Sequence, residues 1–310
     1  MNSKTKNKII SIVMLLSVSM IWGFAFVAQT AVTGSLGANS FTGIRFILGA
    51  FVVMPVALML ERGNGDSQKG VRTLVCGIIS GVAMYLACIT QQYGIEITQS
   101  AGKSGFMTAF YTVLVPIASS IVYRQKMKGN VMLGAIIAMA GLFLLSVNEA
   151  LTIGVGEVLL LTSALFWTLQ IMLVDVAAQK DVHLLKFSMV QFFTCGIIGT
   201  AFGLVLEPES FTLSAIKAGL IPLLYAGILS VGVAFTLQTV AQKRSDPTTA
   251  AIIFSTESVF GTIGGAVVLH EVMSFRAYMG CVVMFIGLVL SQLDMDSILK
   301  RLKNNKRNVQ

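Results

Sequence analysis

The chain has 310 residues, of which 55 % are hydrophobic and only 12 % charged, and its mean hydropathy is +0.82. Too few charges remain to wet a water-soluble surface of this size, so a soluble globular protein is excluded and most of the chain must face lipid. The formal net charge of +8 does not call for nucleic acid, because basic loops gathered on one membrane face account for it.

Ten apolar runs, each broken by Gly, Pro, Asn or charge clusters, follow one another along the chain. They lie near 9–30, 39–60, 72–92, 103–123 and 130–147, then near 156–176, 184–206, 215–238, 247–269 and 276–293. Runs of this length satisfy their own backbone only as helices. Barrel strands would alternate in polarity over ~10 residues, which these do not. The fold class expected is an all-α integral membrane protein of ten transmembrane helices.

Lys and Arg set the orientation, since short cytoplasmic loops retain positive charge. With the N-terminus inside, eighteen of the 22 basic residues fall on the cytoplasmic side, including Arg62, Lys69, Arg72, Arg124, Lys126, Lys128 and the basic tail from Lys300 to Arg307. Only Lys217 and Arg276 fall outside, while Arg45 and Lys103 lie in or at the edge of spans. One helix more or fewer would scramble this bias. Ten spans with both ends cytoplasmic in the cell membrane are therefore expected, with the first run an uncleaved span.

The two halves resemble each other at an offset near 146. Leu15, Leu16, Ser17 and Trp22 match Leu160, Leu161, Thr162 and Trp167 at 145, and Phe41, Arg45 and Phe46 match Phe187, Gln191 and Phe192 at 146. Gly77 to Ser80 match Gly227 to Ser230 at 150, and Gly134, Gly141 and Leu142 match Gly280, Gly287 and Leu288 at 146. The organisation expected is a five-helix repeat over 1–148 and a second over 149–310. Five is odd, so the second repeat enters the membrane from the opposite side, making an inverted pair able to open toward either face.

On Trp22-Gly23, Arg45-Phe46, Glu257-Ser258-Val259-Phe260 and His270-Glu271, the chain resembles the EamA-type transporters of the drug/metabolite transporter superfamily. The resemblance spans nearly the whole chain. It implies an inner-membrane carrier, often an exporter of amino acids or other small metabolites, with a central cavity between the halves. One departure stands out: Tyr123-Arg124 closes the fourth run where His270-Glu271 closes the ninth, leaving that acid without a counterpart in the first half.

Ionisable side chains deep in a span cost ~2.5–3.5 kcal/mol on insertion scales, so each needs a cavity or a partner. Glu257 lies near the middle of the ninth run, where it can bind a cation or a proton, or else fix helix packing through a hydrogen bond. Arg45 sits about two turns into the second run. Its planar fork suits a carboxylate, with snorkelling or bracing a neighbouring helix as the alternative. Lys103 opens the fourth run within Ser100-Ala-Gly-Lys-Ser-Gly105 and is either an outer-cavity cation or an interfacial anchor. The Walker pattern fails there, since Ile97 stands where its first Gly belongs.

Gln91, Gln170 and Gln238, together with Gln92 and Gln191, are polar amides that either glue helices or line the cavity. Trp22 and Trp167 occupy matching places well inside their helices, and Tyr111 stands in the fourth run with Pro116, a residue able to kink it. Asp175 is expected to reach cytoplasmic water. Gly77, Gly81, Gly199 and Gly203 read as close-packing positions, and no cofactor or metal site is suggested. The function expected is a secondary transporter for a small metabolite, with membrane lipid and a proton as further partners and no nucleic acid. A channel or receptor is the alternative. An intramembrane enzyme is weaker, because His270-Glu271 has no second His in zinc-site spacing.

Overall fold

The computed structural model describes residues 3–61, 67–124, 129–146, 153–272 and 274–292. Its elements are helical throughout. Ten rods run in chain order: α1 (Ser3–Ala31), α2 (Ala38–Leu60), α3 (Ser67–Thr98), α4 (Ala101–Val122), α5 (Gly129–Ser146), α6 (Val155–Gln179), α7 (Leu184–Leu206), α8 (Leu220–Gln242), α9 (Pro247–Val268) and α10 (Phe275–Gln292). Eight are long and apolar enough to cross a membrane. The other two, α5 and α10, carry the shorter apolar stretches Gly129–Gly141 and Tyr278–Gly287. The chain is thus a multi-pass membrane protein. Its outward faces are hydrocarbon, with Val205 77 % exposed, as a lipid-facing surface requires.

Two expected boundaries shift. The third run grows to Ser67–Thr98, because polar turns at both ends continue the helix beyond the hydrocarbon. The eighth was expected from 215, but Leu213–Ala218 forms a separate short helix capped by Thr212 and stopped at Gly219, so α8 begins at Leu220. Arg62, Lys126, Lys128 and the tail from Lys300 to Arg307, used above for orientation, lie outside the described residues.

Rods α2 and α7 pack together, as do α3 and α6, and α5 and α10, while α1 lies between α8 and α9. Several of these contacts recur 146 residues apart. A Cβ on Gly141 would meet Met284 N at 2.4 Å and Gly280 O at 2.6 Å; one on Gly287 would meet Ala138 N at 2.5 Å and Gly134 O at 2.6 Å. Backbones this close tolerate only glycine. Gly81 likewise approaches Thr194 as Gly227 approaches Leu48. That pairing corrects the match of Gly77–Ser80 to Gly227–Ser230, which is one helical turn out of step.

Both α4 and α9 are interrupted. Each consists of two pieces, Ala101–Thr108 and Tyr111–Val122 in α4, Pro247–Phe254 and Glu257–Val268 in α9. At each break the backbone tightens to three-residue closure, with Thr112 N donating to Ala109 O at 2.9 Å and Ser258 N to Ser255 O at 3.2 Å. Pro116 is not the cause in α4, since it lies six residues beyond the break and α9 breaks without any internal proline. Side-chain oxygens of Ser100 and Asp246 cap the two helices, accepting from Lys103 N at 3.2 Å and Thr249 N at 2.8 Å. Arg124 and His270 follow them with φ of 50° and 55°. Arg124 is therefore the counterpart of His270, not of Glu271, whose own counterpart, Gln125, lies outside the described residues.

Three glutamates cap helices across the bundle. Glu207 at the end of α7 accepts from Asn39 N, Asn39 Nδ2, Ser40 N and Ser40 Oγ at the start of α2, all between 2.8 and 3.1 Å. Glu61 at the end of α2 returns the favour, accepting from Leu185 N at 3.0 Å and Lys186 N at 2.9 Å at the start of α7. Glu271 accepts from Ser100 Oγ at 2.7 Å and Ala101 N at 2.6 Å, completing the start of α4. Carboxylates are favoured there by the unpaired N–H groups and positive end of each helix.

Candidate functional site

The breaks in α4 and α9 lie beside a central cavity enclosing about 480 Å³ including its mouth. From α1 it takes Trp22, Ala25, Phe26 and Gln29, one stripe of a helix at 3.6-residue spacing. Arg45 enters from α2, Cys88 and Gln91 from α3, Thr108 and Tyr111 from α4. Rod α6 contributes Trp167, Gln170 and Ile171, α8 contributes Ser230, Phe235 and Gln238, and α9 contributes Glu257. Eight of the nine residues singled out in the sequence therefore meet in one place.

Lys103 is the one not brought there. Its ammonium bonds the Glu157 carboxylate in the first turn of α6. The ion pair holds Lys103 at the helix end, away from the residues that line the cavity.

Glu257 begins the second piece of α9, is 4 % exposed, and accepts one hydrogen bond, from Tyr111 Oη at 3.0 Å. Tyr111 begins the second piece of α4, 146 residues earlier. Arg45 is equally buried, at 4 % exposure, and its Cζ lies 4.9 Å and 5.3 Å from the ring centroids of Phe41 and Phe46. Those rings hold the guanidinium by cation–π attraction, but its Nε has no hydrogen-bond partner and no carboxylate pairs with it among the described residues. A buried carboxyl group and a buried guanidinium thus line one chamber, and among the described residues neither has an ion-pair partner.

Trp22 donates its indole N–H to Ser230 O at 3.4 Å and packs 4.6 Å from Phe235 and 5.1 Å from Phe254. The accepting carbonyl belongs to Tyr225–Phe235, a stretch of π-helix in α8, a geometry that recurs at functional sites. Trp167 stacks on Phe235 at 5.6 Å and 17°, while its own N–H is unpartnered. Gln238 Nε2 donates to Gln170 Oε1 at 3.2 Å, and Gln91 Nε2 to Thr108 Oγ1 at 3.3 Å. The far ends of the first pair, Gln170 Nε2 and Gln238 Oε1, remain unmatched, as does Gln29 Oε1. Unmatched buried polar groups cost free energy, and several around one cavity leave donors and acceptors available to a guest. Gln92 and Gln191 are helix glue: Gln92 Nε2 donates to Gln29 O at 3.2 Å and Ser80 Oγ donates to Gln191 Oε1 at 2.9 Å.

Asp175 does not reach water as expected. It is 4 % exposed and accepts hydrogen bonds from the hydroxyl of Tyr123 and, at 2.8 Å, from Gln179 Nε2. Burial, and then the hydrogen bond and negative charge of Asp175, push the Tyr123 phenol up to about 12. Among the described residues no group of three His, Cys, Asp or Glu side chains is placed to hold a metal. The polar cavity residues not singled out in the sequence are Gln29, Thr108 and Ser230, and Ala25, Phe26, Cys88, Ile171 and Phe235 complete the lining. Gln29 carried a signal, seven residues after Trp22 on the same helical face; Phe235, one Phe among 19, carried none.

The EamA-like transporter family model matches residues 9–147 and matches again over 154–293. This chain belongs to the EamA-like transporter family. Among curated relatives, an uncharacterized transporter of Archaeoglobus fulgidus is 26 % identical over 276 residues, covering 89 % of this chain and 83 % of its own. The uncharacterized transporter YoaV of Bacillus subtilis is 23 % identical, covering 89 % of this chain and 94 % of its own. A protein solved by crystallography, 17 % identical, superposes with a TM-score of 0.71 over 94 % of this chain and 98 % of that one, which shows a shared fold. The chain is accordingly a membrane transporter, and its family relationship points away from enzymatic work.

Proposed function

We propose that this EamA-family protein is a secondary carrier that exports a small zwitterionic metabolite, such as an amino acid, across the cell membrane by alternating access. The observation that carries the reading is the chamber holding Arg45 and Glu257, each buried and neither ion-paired. A buried guanidinium left unpaired is costly; a guest carrying one carboxylate and one ammonium group sets the carboxylate on the Arg45 fork and the ammonium against the Glu257 carboxyl oxygens. A purely cationic or anionic guest would satisfy only one. Trp167 and the Gln170–Gln238 pair supply apolar wall and spare hydrogen-bonding groups for the rest of the molecule.

Alternating access draws support from the spacing of 146 that relates helix breaks, caps and glycine contacts, and from the double family match. We take these as two inverted five-helix repeats, 1–148 and 149–310, giving ten membrane spans with both ends cytoplasmic. Glu257 serves additionally as the proton site, its carboxylate free to exchange a proton when the guest leaves.

Counterflow in proteoliposomes tests the proposal. Preloading with a panel of amino acids should accelerate entry of labelled zwitterion, saturably, which a channel would not do. Arg45→Gln should weaken zwitterion counterflow at least tenfold, and Glu257→Gln should also abolish acceleration by an imposed pH gradient. Counterflow indifferent to both substitutions would defeat the substrate assignment, and intact pH coupling in Glu257→Gln would defeat the proton role.

A further inference from the structure

Rods α4 and α6 are tied to each other at both ends. Near their starts Lys103 pairs with Glu157; just past the end of α4, Tyr123 donates to Asp175, whose Oδ2 also accepts from Gln179 on α6 at 2.8 Å. From 157 to 175 a helix rises ~27 Å at ~1.5 Å per residue, so the two ties are separated by about the depth of a hydrocarbon core. Between them the rods border the cavity, Thr108 and Tyr111 on one side and Trp167 and Gln170 on the other.

The corresponding seam between α9 and α1 is built differently. The residues 146 positions away are Thr249 and Ser11 for the first tie, and Leu269 and Gln29 for the second. Ser11 Oγ donates instead to Ala241 O on α8 at 3.2 Å, Thr249 bonds its own cap Asp246 at 2.8 Å, and Leu269 has only hydrocarbon to offer. Glycine and one hydrogen bond away from the membrane faces, Ser19 Oγ to Ile253 O at 2.8 Å, hold this seam: a Cβ on Gly23 would lie 2.3 Å from Phe260 Cβ and 2.7 Å from Glu257 O, and one on Gly264 would lie 2.7 Å from Val27 Cγ2. Interlocked backbones have no second arrangement nearby, whereas a polar tie at a membrane face can exchange its partner for water. The hydrogen bond from Tyr111 to Glu257 joins residues 146 positions apart, at the same place in the two broken rods, and ties α4 to α9.

We infer that the α4–α6 seam is the moving one, with Lys103–Glu157 latching its outer end and Tyr123–Asp175 its inner end, while the α1–α9 seam and the Tyr111–Glu257 bond stay closed as the pivot. Opening toward one face releases that face's latch and leaves the other made. The inference rests on the carrier reading above for its inside and outside.

The cavity supplies its own reporter in Cys88. In a variant whose other three cysteines, Cys76, Cys195 and Cys281, are replaced by Ala, a charged membrane-impermeant methanethiosulfonate reports access from outside on cells and from inside on inverted vesicles. Lys103→Met should raise outside labelling several-fold and lower inside labelling; Tyr123→Phe should do the reverse. Exchanging the pair, Lys103→Glu with Glu157→Lys, should return both rates to those of the parent and so exclude simple misfolding of the single variant. Unchanged rates, or rates raised equally from both faces, would overturn the latches. Because the readout needs no substrate, sidedness that shifts as expected while zwitterion counterflow is absent would fault the substrate assignment and leave the seam standing.

Discussion

The reciprocal glutamates at the ends of α2 and α7 permit a quantitative comparison within one molecule. Glu207 gathers four hydrogen bonds at the start of α2, whereas Glu61, 146 positions earlier, gathers two at the start of α7. Hydrogen bonds to a charged group are worth ~1.5–3 kcal/mol each when desolvated, but both sites sit at the membrane face, where water replaces part of the loss. Taking ~0.5–1 kcal/mol per bond, with non-additivity absorbed in that range, Glu207→Ala should cost ~2–4 kcal/mol and Glu61→Ala ~1–2 kcal/mol. The helix ends lie ~34 Å apart along α2, so the double variant should lose the sum. Equilibrium unfolding in mixed micelles, followed by helical circular dichroism, measures all three. Gly37→Ala offers an independent check, since its Cβ would fall 2.3 Å from Glu207 Cδ and push the carboxylate off the cap. A loss in Glu61→Ala equal to or larger than that in Glu207→Ala would refute the reasoning, as would strong coupling between the two sites.

Two further outcomes follow from the same structure. Tyr123 is raised to about 12 from an unfolded value near ~10, so its contribution to stability is fully present below pH ~10 and is lost as pH rises through about 12. The near-ultraviolet difference between parent and Tyr123→Phe should show phenolate forming near pH 12, and Asp175→Asn should lower that midpoint without returning it to the unfolded value, because burial is the larger cause; a parent midpoint near 10 would contradict the contact. Gly141→Val should separate α5 from α10, since the Cβ alone would meet Met284 N at 2.4 Å, with a loss above ~2 kcal/mol, whereas Gly70→Ala, with nothing within 4 Å, should be neutral in the same unfolding measurement.

Much of the site was legible in the sequence because charge and amide groups in hydrocarbon are conspicuous. Glu257, Arg45, Gln91, Gln170 and Gln238 stood out as polar interruptions of apolar runs, and all five face the cavity. The same logic drew in Lys103, whose partner Glu157 sits 54 residues away and carries no local sign of the pairing. It also put Asp175 in water, where position along a helix spoke and the neighbouring α4 did not. Phe235 and Ser230 escaped notice because a π-helical turn, not any residue type, aims them inward.

Composition and hydrophobic run length by themselves determined that this chain is a bundle of membrane helices, since the cost of unpaired backbone in lipid leaves no other element for such runs. Self-similarity near 146 is likewise a property of the sequence, and the family model matches once on each side of it. Which side chains pair was decided only in three dimensions: Tyr111 with Glu257, Lys103 with Glu157, Tyr123 with Asp175, Glu61 and Glu207 with each other's helices. Those partners come from different rods, and a hydrogen bond or ion pair depends on distances of about 3 Å that one-dimensional periodicity does not contain.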